Sequence, residues 1–369
     1  MGLATLNNLE QTDKPYQVLD LNGQLVSDAP TITPQQLVAM HRWMWLTRMF
    51  SDKIVALQRQ GRATTFGPLN GQEASAVGIA APLLAQDWLG GSYREVGSYM
   101  VKGIAPRAFI HGLRGYPLNE LYAAEAHCLP YQIVIATQML HMVGIAMAEK
   151  IKGSDAIAVG VCGDGASSEG DFNEALNFAG AFKAPAVLVV VNNGWAISVP
   201  RRLQSAAPTF AARGVGFGMP GVLVDGNDVL AVYKTMSEAA GRARAGDGPT
   251  LIECITYRTG AHTTADDPTR YVPREDVEYW KERDPIVRFR RYLFDRQLLD
   301  EAGEKEMVAG IEAEINAAVQ ADETETLPPA DTVFNYAFQE LTPRLERQRT
   351  EMRREIEANE QQRQARGTH

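Results

Sequence analysis

The residues of this chain best suited to chemistry are an aspartate and an asparagine, each following a short valine-rich run: Asp164 in Gly163-Asp164-Gly165 and Asn193 in Asn192-Asn193. The runs AIAVGVC, from Ala156, and AVLVVV, from Ala186, read as buried parallel strands, and the segment between them has helical length and apolar spacing. Such a βαβ unit brings both side chains to the carboxyl edge of one sheet, where open α/β sheets bind ligands. Magnesium takes hard oxygen ligands and commonly combines one or two from the protein with phosphate oxygens and water. The Asp164 carboxylate and the Asn193 side-chain oxygen suit it. Gly163 and Gly165 permit unusual backbone angles and close approach, and a helix after Ala166 aims free N–H groups at an anion. The unit therefore reads as a site for magnesium and a diphosphate.

A dinucleotide site is the rival reading of a glycine-rich turn between strand and helix. Its fingerprint is G-x-G-x-x-G, whereas here Gly163 and Gly165 are followed next by Gly170. The turn also sets an acid where a bare pyrophosphate would be repelled. No G-x-x-x-x-G-K-[ST] loop is present. Either motif alone would read equally well as a tight turn or a loop start; together, after two such strands, they favour the metal and diphosphate.

The elements that must position these residues belong to a chain of 369 residues, 45% hydrophobic and 22% charged, long enough for one large α/β domain with appendages. The net charge of -9 argues against a nucleic-acid partner. Cys128, Cys162 and Cys254 form no CxxC pair, so neither a disulfide framework nor a zinc site is indicated, and a reducing cytoplasm is expected. The N-terminus shows no basic flank leading into an apolar stretch, Leu6 stands where a myristoylation signal wants Ser or Thr, and no uninterrupted apolar run reaches the roughly 20 residues that cross a bilayer. Residues 1–35 read as an extended N-terminal arm, 36–330 as the α/β domain and 331–369 as a helical tail, charge-laced from Leu341 to Arg366. A helix is expected to start at Thr33-Pro34, with Thr as cap. Another begins at Thr137, carrying Met139, Met142 and Met147 with the small pair Gly144 and Ala148 for close helix packing.

GDG, a helix, a second strand and NN resemble the thiamine diphosphate fingerprint. More specifically, the chain from Pro34 to Asp331 resembles the alpha subunits of the decarboxylating component of 2-oxoacid dehydrogenase complexes, the pyruvate and branched-chain 2-oxoacid family. Further landmarks are Gly71-Gln72-Glu73-Ala74, Tyr93-Arg94-Glu95, Ala136-Thr137-Gln138, Asn193 through Ser198, Val224 through Asp228, and Tyr257-Arg258 through His262 to Asp266-Asp267. The resemblance implies a thiamine diphosphate-binding fold, a mostly parallel sheet flanked by helices. It assigns magnesium to Asp164, Asn193 and the carbonyl of Trp195, and the cofactor to Gly163, Asp164, Gly165, Ala166, Asn193, Tyr93, Arg94, Ile133, Ile135 and His262. Arg94 would bind the diphosphate, a task suited to a forked, permanently charged guanidinium. Thr137 and Gln138 match residues that hold potassium in branched-chain members.

His262 matches the catalytic histidine beside the diphosphate and the reactive carbon, with Arg258 expected to order its loop and Asp266-Asp267 to orient it. A histidine there can donate to the substrate carboxylate or to a developing oxyanion. His41, His111, His127, His141 and His369 sit in no comparable sequence context. No carboxylate of this chain is a convincing activator of the aminopyrimidine; in the family that glutamate comes from a separate beta subunit. The resemblance thus implies an alpha2-beta2 heterotetramer docked on a lipoyl-bearing dihydrolipoamide acyltransferase.

The chain departs from the family in three places. The stretch Leu121–Leu129, LYAAEAHCL, is shorter than the usual loop at the substrate entrance. Val272 replaces the arginine of a Tyr-Arg pair, and Thr263 replaces the serine that kinases modify in mitochondrial relatives, so phosphorylation control is not carried over. The stretches at Ser168–Asp171, Asp225–Asp228 and Thr264–Asp267 lean toward a branched-chain 2-oxoacid substrate, with pyruvate as the alternative. Acetoin dehydrogenase or a non-catalytic subunit are more distant readings.

Overall fold

A computed structural model describes residues 14–116, 124–326 and 329–366, so the first thirteen residues of the expected arm and the start of the shortened stretch at 121–123 lie outside the described residues. By internal contacts the chain divides into two units, Met1–Gln320 and Ala321–His369. The helices are α1 (Pro34–Arg59), α2 (Glu73–Ala80), α3 (Val96–Val101), α4 (Pro106–Leu113), α5 (Thr137–Lys152), α6 (Gly170–Phe182), α7 (Ala212–Gly216), α8 (Val229–Arg244), α9 (Arg274–Lys281), α10 (Pro285–Asp295), α11 (Glu301–Glu323) and α12 (Pro343–Arg366). The strands are β1 (Trp88–Gly90), β2 (Ala158–Gly163), β3 (Ala186–Asn192), β4 (Trp195–Ala196), β5 (Val199–Pro200), β6 (Gly221–Asp225) and β7 (Thr250–Ile255).

Five strands form one parallel sheet in the order β1-β2-β3-β7-β6, and β4 and β5 make a short antiparallel hairpin. This is the expected α/β class with a parallel sheet. Alternation along β3 explains how one strand serves two cores: Val187, Val189 and Val191 join the cluster under α1, α2 and α8, while Ala186, Leu188 and Val190 join the one under α5 and α6. Helix α2 sits close against α8 because Gly78 has no side chain; a Cβ there would lie 2.7 Å from Val232.

Thr33 caps α1, its hydroxyl accepting from the Gln36 backbone N–H while Gln36 reaches back to the Thr33 N–H, a complete capping box. On α5 Met139 and Met142 are core residues, fully buried over glycines of β2 and β1: Cβ atoms added at Gly160 and Gly90 would lie 3.1 and 2.5 Å from their sulfurs. Gly144 and Ala148 instead face outward, and nothing among the described residues lies within 4 Å of a Cβ added at Gly144. The small pair packs no helix among the described residues.

The described part of the N-terminal segment is anchored and folds back on itself, Leu19 bridging Leu25 around a turn closed by the Gly23 N–H on the Asp20 carbonyl. Tyr16 bridges Val224 of β6, and Asp228 Oδ2 accepts from the backbone N–H groups of Val18 and Leu19 at 2.7 and 2.6 Å. Arg288 of α10, itself buried, pairs with Asp225 at 2.7 Å and donates to the carbonyls of Leu19 and Asp20. In the second unit a 3-10 turn at Ala330–Phe334 precedes α12, and Arg353 pairs with Asp331. Among the described residues no helix is long and apolar enough to cross a membrane.

Candidate functional site

A cavity of about 650 Å³ opens at the carboxyl edge of β2 and β3. Gly163, Asp164, Gly165, Ala166, Asn193 and Trp195 line it from the strand ends, and Tyr93, Arg94, Ile133, Ile135, Gln138 and His262 complete its wall. Register explains the first group, since Gly163 of β2 pairs with Val191 of β3 and both chains leave the sheet at the same level. Among the residues expected at the site only Thr137 does not line the cavity; its hydroxyl donates to Asp171 at 2.9 Å.

Asp164 is 2% exposed, and its Oδ2 is buried with no hydrogen-bond partner among the described residues. Burial raises its pKa to about 6 against the opposing pull of backbone N–H groups, Arg258 and Arg94. A buried carboxylate oxygen left without a donor is costly, and a cation is the natural compensation. Asn193, 5% exposed, offers the second hard oxygen. Its Oδ1 accepts from the Trp195 backbone N–H at 3.2 Å, which leaves one lone pair free, and its Nδ2 donates to Gln72 Oε1 at 3.2 Å. These donors fit a magnesium ion.

The helix expected after Ala166 begins later. Residues Gly165–Ser168 form a 3-10 turn, Glu169 is extended at φ -76 and ψ 150, and α6 starts at Gly170. The tight turn follows from Gly165, where a Cβ would lie 2.7 Å from that of Ala196 in the hairpin. The backbone N–H groups nearest Asp164 thus belong to this turn.

On the opposite wall Arg94 lies over the Tyr93 ring at 5.0 Å, donates to the Pro68 carbonyl at 3.3 Å and donates to the His262 carbonyl. His262 Nδ1 lies 3.3 Å from Arg94 Nη2 and 3.3 Å from Arg258 Nη1. Burial, then Arg94, then Arg258 lower the His262 pKa to about 4. Asp266 Oδ2 accepts from the His262 backbone N–H at 2.6 Å and from Tyr271 OH at 2.5 Å, while that hydroxyl accepts from Arg258 at 2.8 Å. Asp266 therefore holds the loop, whereas the two arginines hold the ring. Asp267 takes no part; it caps the turn at Pro268–Arg270 by accepting from Thr269.

Ile133 and Ile135 border the cavity as exposed apolar side chains, Ile133 at 76%. The turn from this segment into α5 forces Ala136 to φ +68. Gln138 Nε2 donates to the Val161 carbonyl at 2.9 Å, and its Oε1 is buried without a partner among the described residues. Sequence reasoning missed several residues of the wall. Phe66, Phe109, Leu113 and Tyr131 give it an apolar end, and burial raises the pKa of Glu95, which accepts from both the backbone N–H and hydroxyl of Ser92 at 2.7 Å. Gln72 lay inside the noted Gly71–Ala74 motif without a role. A polar residue following a glycine is its only signal in the sequence; the structure sets that glycine at φ +95.

Residues 41–330 match the sequence model of the family described as dehydrogenase E1 component. A relative from Mycobacterium tuberculosis, the 3-methyl-2-oxobutanoate dehydrogenase subunit alpha, is 47% identical over 323 residues, which cover 85% of this chain and 87% of that protein. The pyruvate dehydrogenase E1 component subunit alpha of Staphylococcus aureus is 42% identical over 330 residues, covering 88% of this chain and 89% of its own length. The match spans every strand and the whole cavity wall, and the chain belongs to the dehydrogenase E1 component family.

Proposed function

We propose that this chain is the alpha subunit of a thiamine diphosphate-dependent 2-oxoacid dehydrogenase, acting in oxidative decarboxylation and acyl transfer to lipoyl groups. The observation that carries the reading is the unpartnered Asp164 oxygen, buried beside Asn193 in a cavity whose other wall holds Arg94 and His262. Asp164, Asn193 and the Trp195 carbonyl hold magnesium; Gly163, Gly165 and Ala166 let the diphosphate approach; Tyr93 and Arg94 bind it; Ile133 and Ile135 border the cofactor's apolar part. Gln138, with its free buried oxygen, is the stronger half of a potassium site shared with Thr137.

Thiamine diphosphate supplies the carbon nucleophile and the electron sink that decarboxylation requires. The protein places and polarises. With Nδ1 taken by two arginines, His262 presents Nε2–H to the substrate carboxylate or to the oxygen that gains charge. Arg94 of the same wall and Arg258, bonded to His262, add positive potential without a carboxylate bonded to either guanidinium among the described residues.

The activating carboxylate comes from a beta subunit, and the working unit is an alpha2-beta2 heterotetramer docked on a lipoyl-bearing acyltransferase. A branched-chain 2-oxoacid is the favoured substrate, supported by the 47% relative, with pyruvate as the alternative supported by the 42% relative. The test is turnover with an artificial electron acceptor, for the chain alone and with its beta subunit, on 3-methyl-2-oxobutanoate and pyruvate. Activity only in the assembly, with a higher kcat/KM for the branched substrate, is expected. Full turnover by the isolated chain overturns the half-site reading, and a pyruvate preference selects the alternative.

A further inference from the structure

We infer that Gln72 is a positioning residue for the metal site: its Oε1 fixes which way the Asn193 amide faces. The inference rests on the assignment of Asn193 as a magnesium ligand.

An asparagine amide has an oxygen that binds a cation and a nitrogen that repels one, so its orientation decides whether a site exists. Two contacts set it here. The Trp195 N–H donates to Asn193 Oδ1, and Asn193 Nδ2 donates to Gln72 Oε1, each at 3.2 Å. Turning the amide over would set Nδ2 against the Trp195 N–H, donor against donor, and would leave Gln72 Oε1 without its hydrogen bond.

Gln72 is built to serve this contact. It is 5% exposed, lines the cavity, and its own Nε2 is buried with no acceptor among the described residues. With the Trp195 N–H holding Asn193 Oδ1, Nδ2 faces Gln72 and only Oε1 can meet it, so the pair is locked in one arrangement. The backbone is equally fixed. Gly71 before it stands at φ +95, where a Cβ would lie 2.3 Å from the Tyr257 carbonyl, and the Gly71 N–H donates to Glu73, which is buried and paired with Arg48 at 2.8 Å. The Gln72 carbonyl accepts from Ala76 at 3.0 Å, tying the residue to the start of α2. A residue distant in sequence from both strands therefore sets the metal-facing side of a strand-end ligand.

The test is the affinity of magnesium for the alpha-beta assembly in the presence of thiamine diphosphate, measured by calorimetry. Gln72→Met keeps the length and removes the acceptor; affinity should fall about 10–100-fold, the usual effect of losing a group that orients a metal ligand. Gln72→Glu keeps an acceptor for Nδ2 and should stay within a few-fold of wild type. With Asn193→Asp in place both ligand oxygens are equivalent and orientation no longer matters, so adding Gln72→Met should change affinity little. An equal loss from Gln72→Met with and without Asn193→Asp, or a Gln72→Met protein that binds like wild type, overturns the inference. Asn193→Ala separates it from the reading beneath: unaltered affinity there removes Asn193 from the metal site altogether.

Discussion

His262 Nδ1 accepts from two guanidinium groups at once, Arg94 and Arg258, each 3.3 Å away. Guanidinium has donors only, so Nδ1 carries no proton and the ring's single N–H is at Nε2. The two arginines fix the tautomer, and burial, then Arg94 and Arg258, hold the ring neutral by lowering its pKa to about 4. The sign of the stability effect follows. Unfolded His262 takes up a proton near pH 6.5 and the folded one only near 4, so between these values the unfolded chain binds more protons. Its contribution to stability is therefore fully present above pH 6.5 and is lost as pH falls toward 4. Nitrogen-15 NMR of labelled histidine should show the Nε2–H form from about pH 8 down to about pH 5, above the folded-state value. Arg258→Gln should move the titration only part of the way up toward 6.5, since burial and Arg94 remain; an unmoved titration would mean that Arg258 does not act on this ring.

Because a neutral His262 acts by donation from Nε2, its removal should be felt in rate and hardly in cofactor retention. His262→Ala should reduce turnover by about 10²–10³, the range for losing one oxyanion donor. Decarboxylation with an artificial acceptor and acyl transfer to a lipoyl domain should both fall if the donor acts early, and transfer alone if it acts late. Near-normal values for both would reduce His262 to a wall residue.

The strand pair was legible because β2 and β3 are almost wholly apolar, and because Asp164 and Asn193 follow them directly in sequence. Local chemistry also located the Thr33 cap. What sequence could not show was partnership across long separations. Gln72 and Asn193 are 121 residues apart, and Arg94 and His262 are 168 apart, so neither contact leaves a local pattern. His41 is similar: it is buried against Glu304 at 2.7 Å, 263 residues away, although no feature near His41 in sequence announces it. The late start of α6 was hidden for another reason, since Ala166-Ser167-Ser168 is compatible with helix and only the approach of Ala196 to Gly165 tightens the turn.

The unpartnered Asp164 oxygen is a stability liability in the metal-free protein. Asp164→Ala should therefore separate two properties. Calorimetry on the assembly should show magnesium-dependent cofactor binding sharply weakened. Thermal unfolding of the metal-free chain should show a midpoint no lower than wild type, because an unsatisfied buried polar group costs about 1–3 kcal/mol. A lower midpoint with unchanged cofactor affinity would make Asp164 a structural residue.

Asp228 belongs to a network that serves stability and not the site. Its Oδ1 caps α8 by accepting from Leu230 and Ala231, and its Oδ2 holds the Val18 and Leu19 N–H groups. Arg288 Nη2 stands 3.6 Å from the same carboxylate, with Asp225 on its other side. Removing Asp228 leaves four backbone N–H groups without their acceptor, a loss of about 3–5 kcal/mol in all, although Arg288 keeps its closer partner Asp225. Asp228→Ala should lose about that much in urea unfolding, whereas Thr33→Ala, an exposed cap, should lose only about 1 kcal/mol. Hydrogen exchange should localise the damage: the Val18 and Leu19 amides exchange faster, while amides of β2 and β3 follow the global change. The loss of stability should leave the magnesium affinity of the assembled protein within a few-fold of wild type at a temperature where it remains folded. A selective loss of metal binding there would tie the N-terminal clamp to the cavity, although Asp228 is not among the residues that line it.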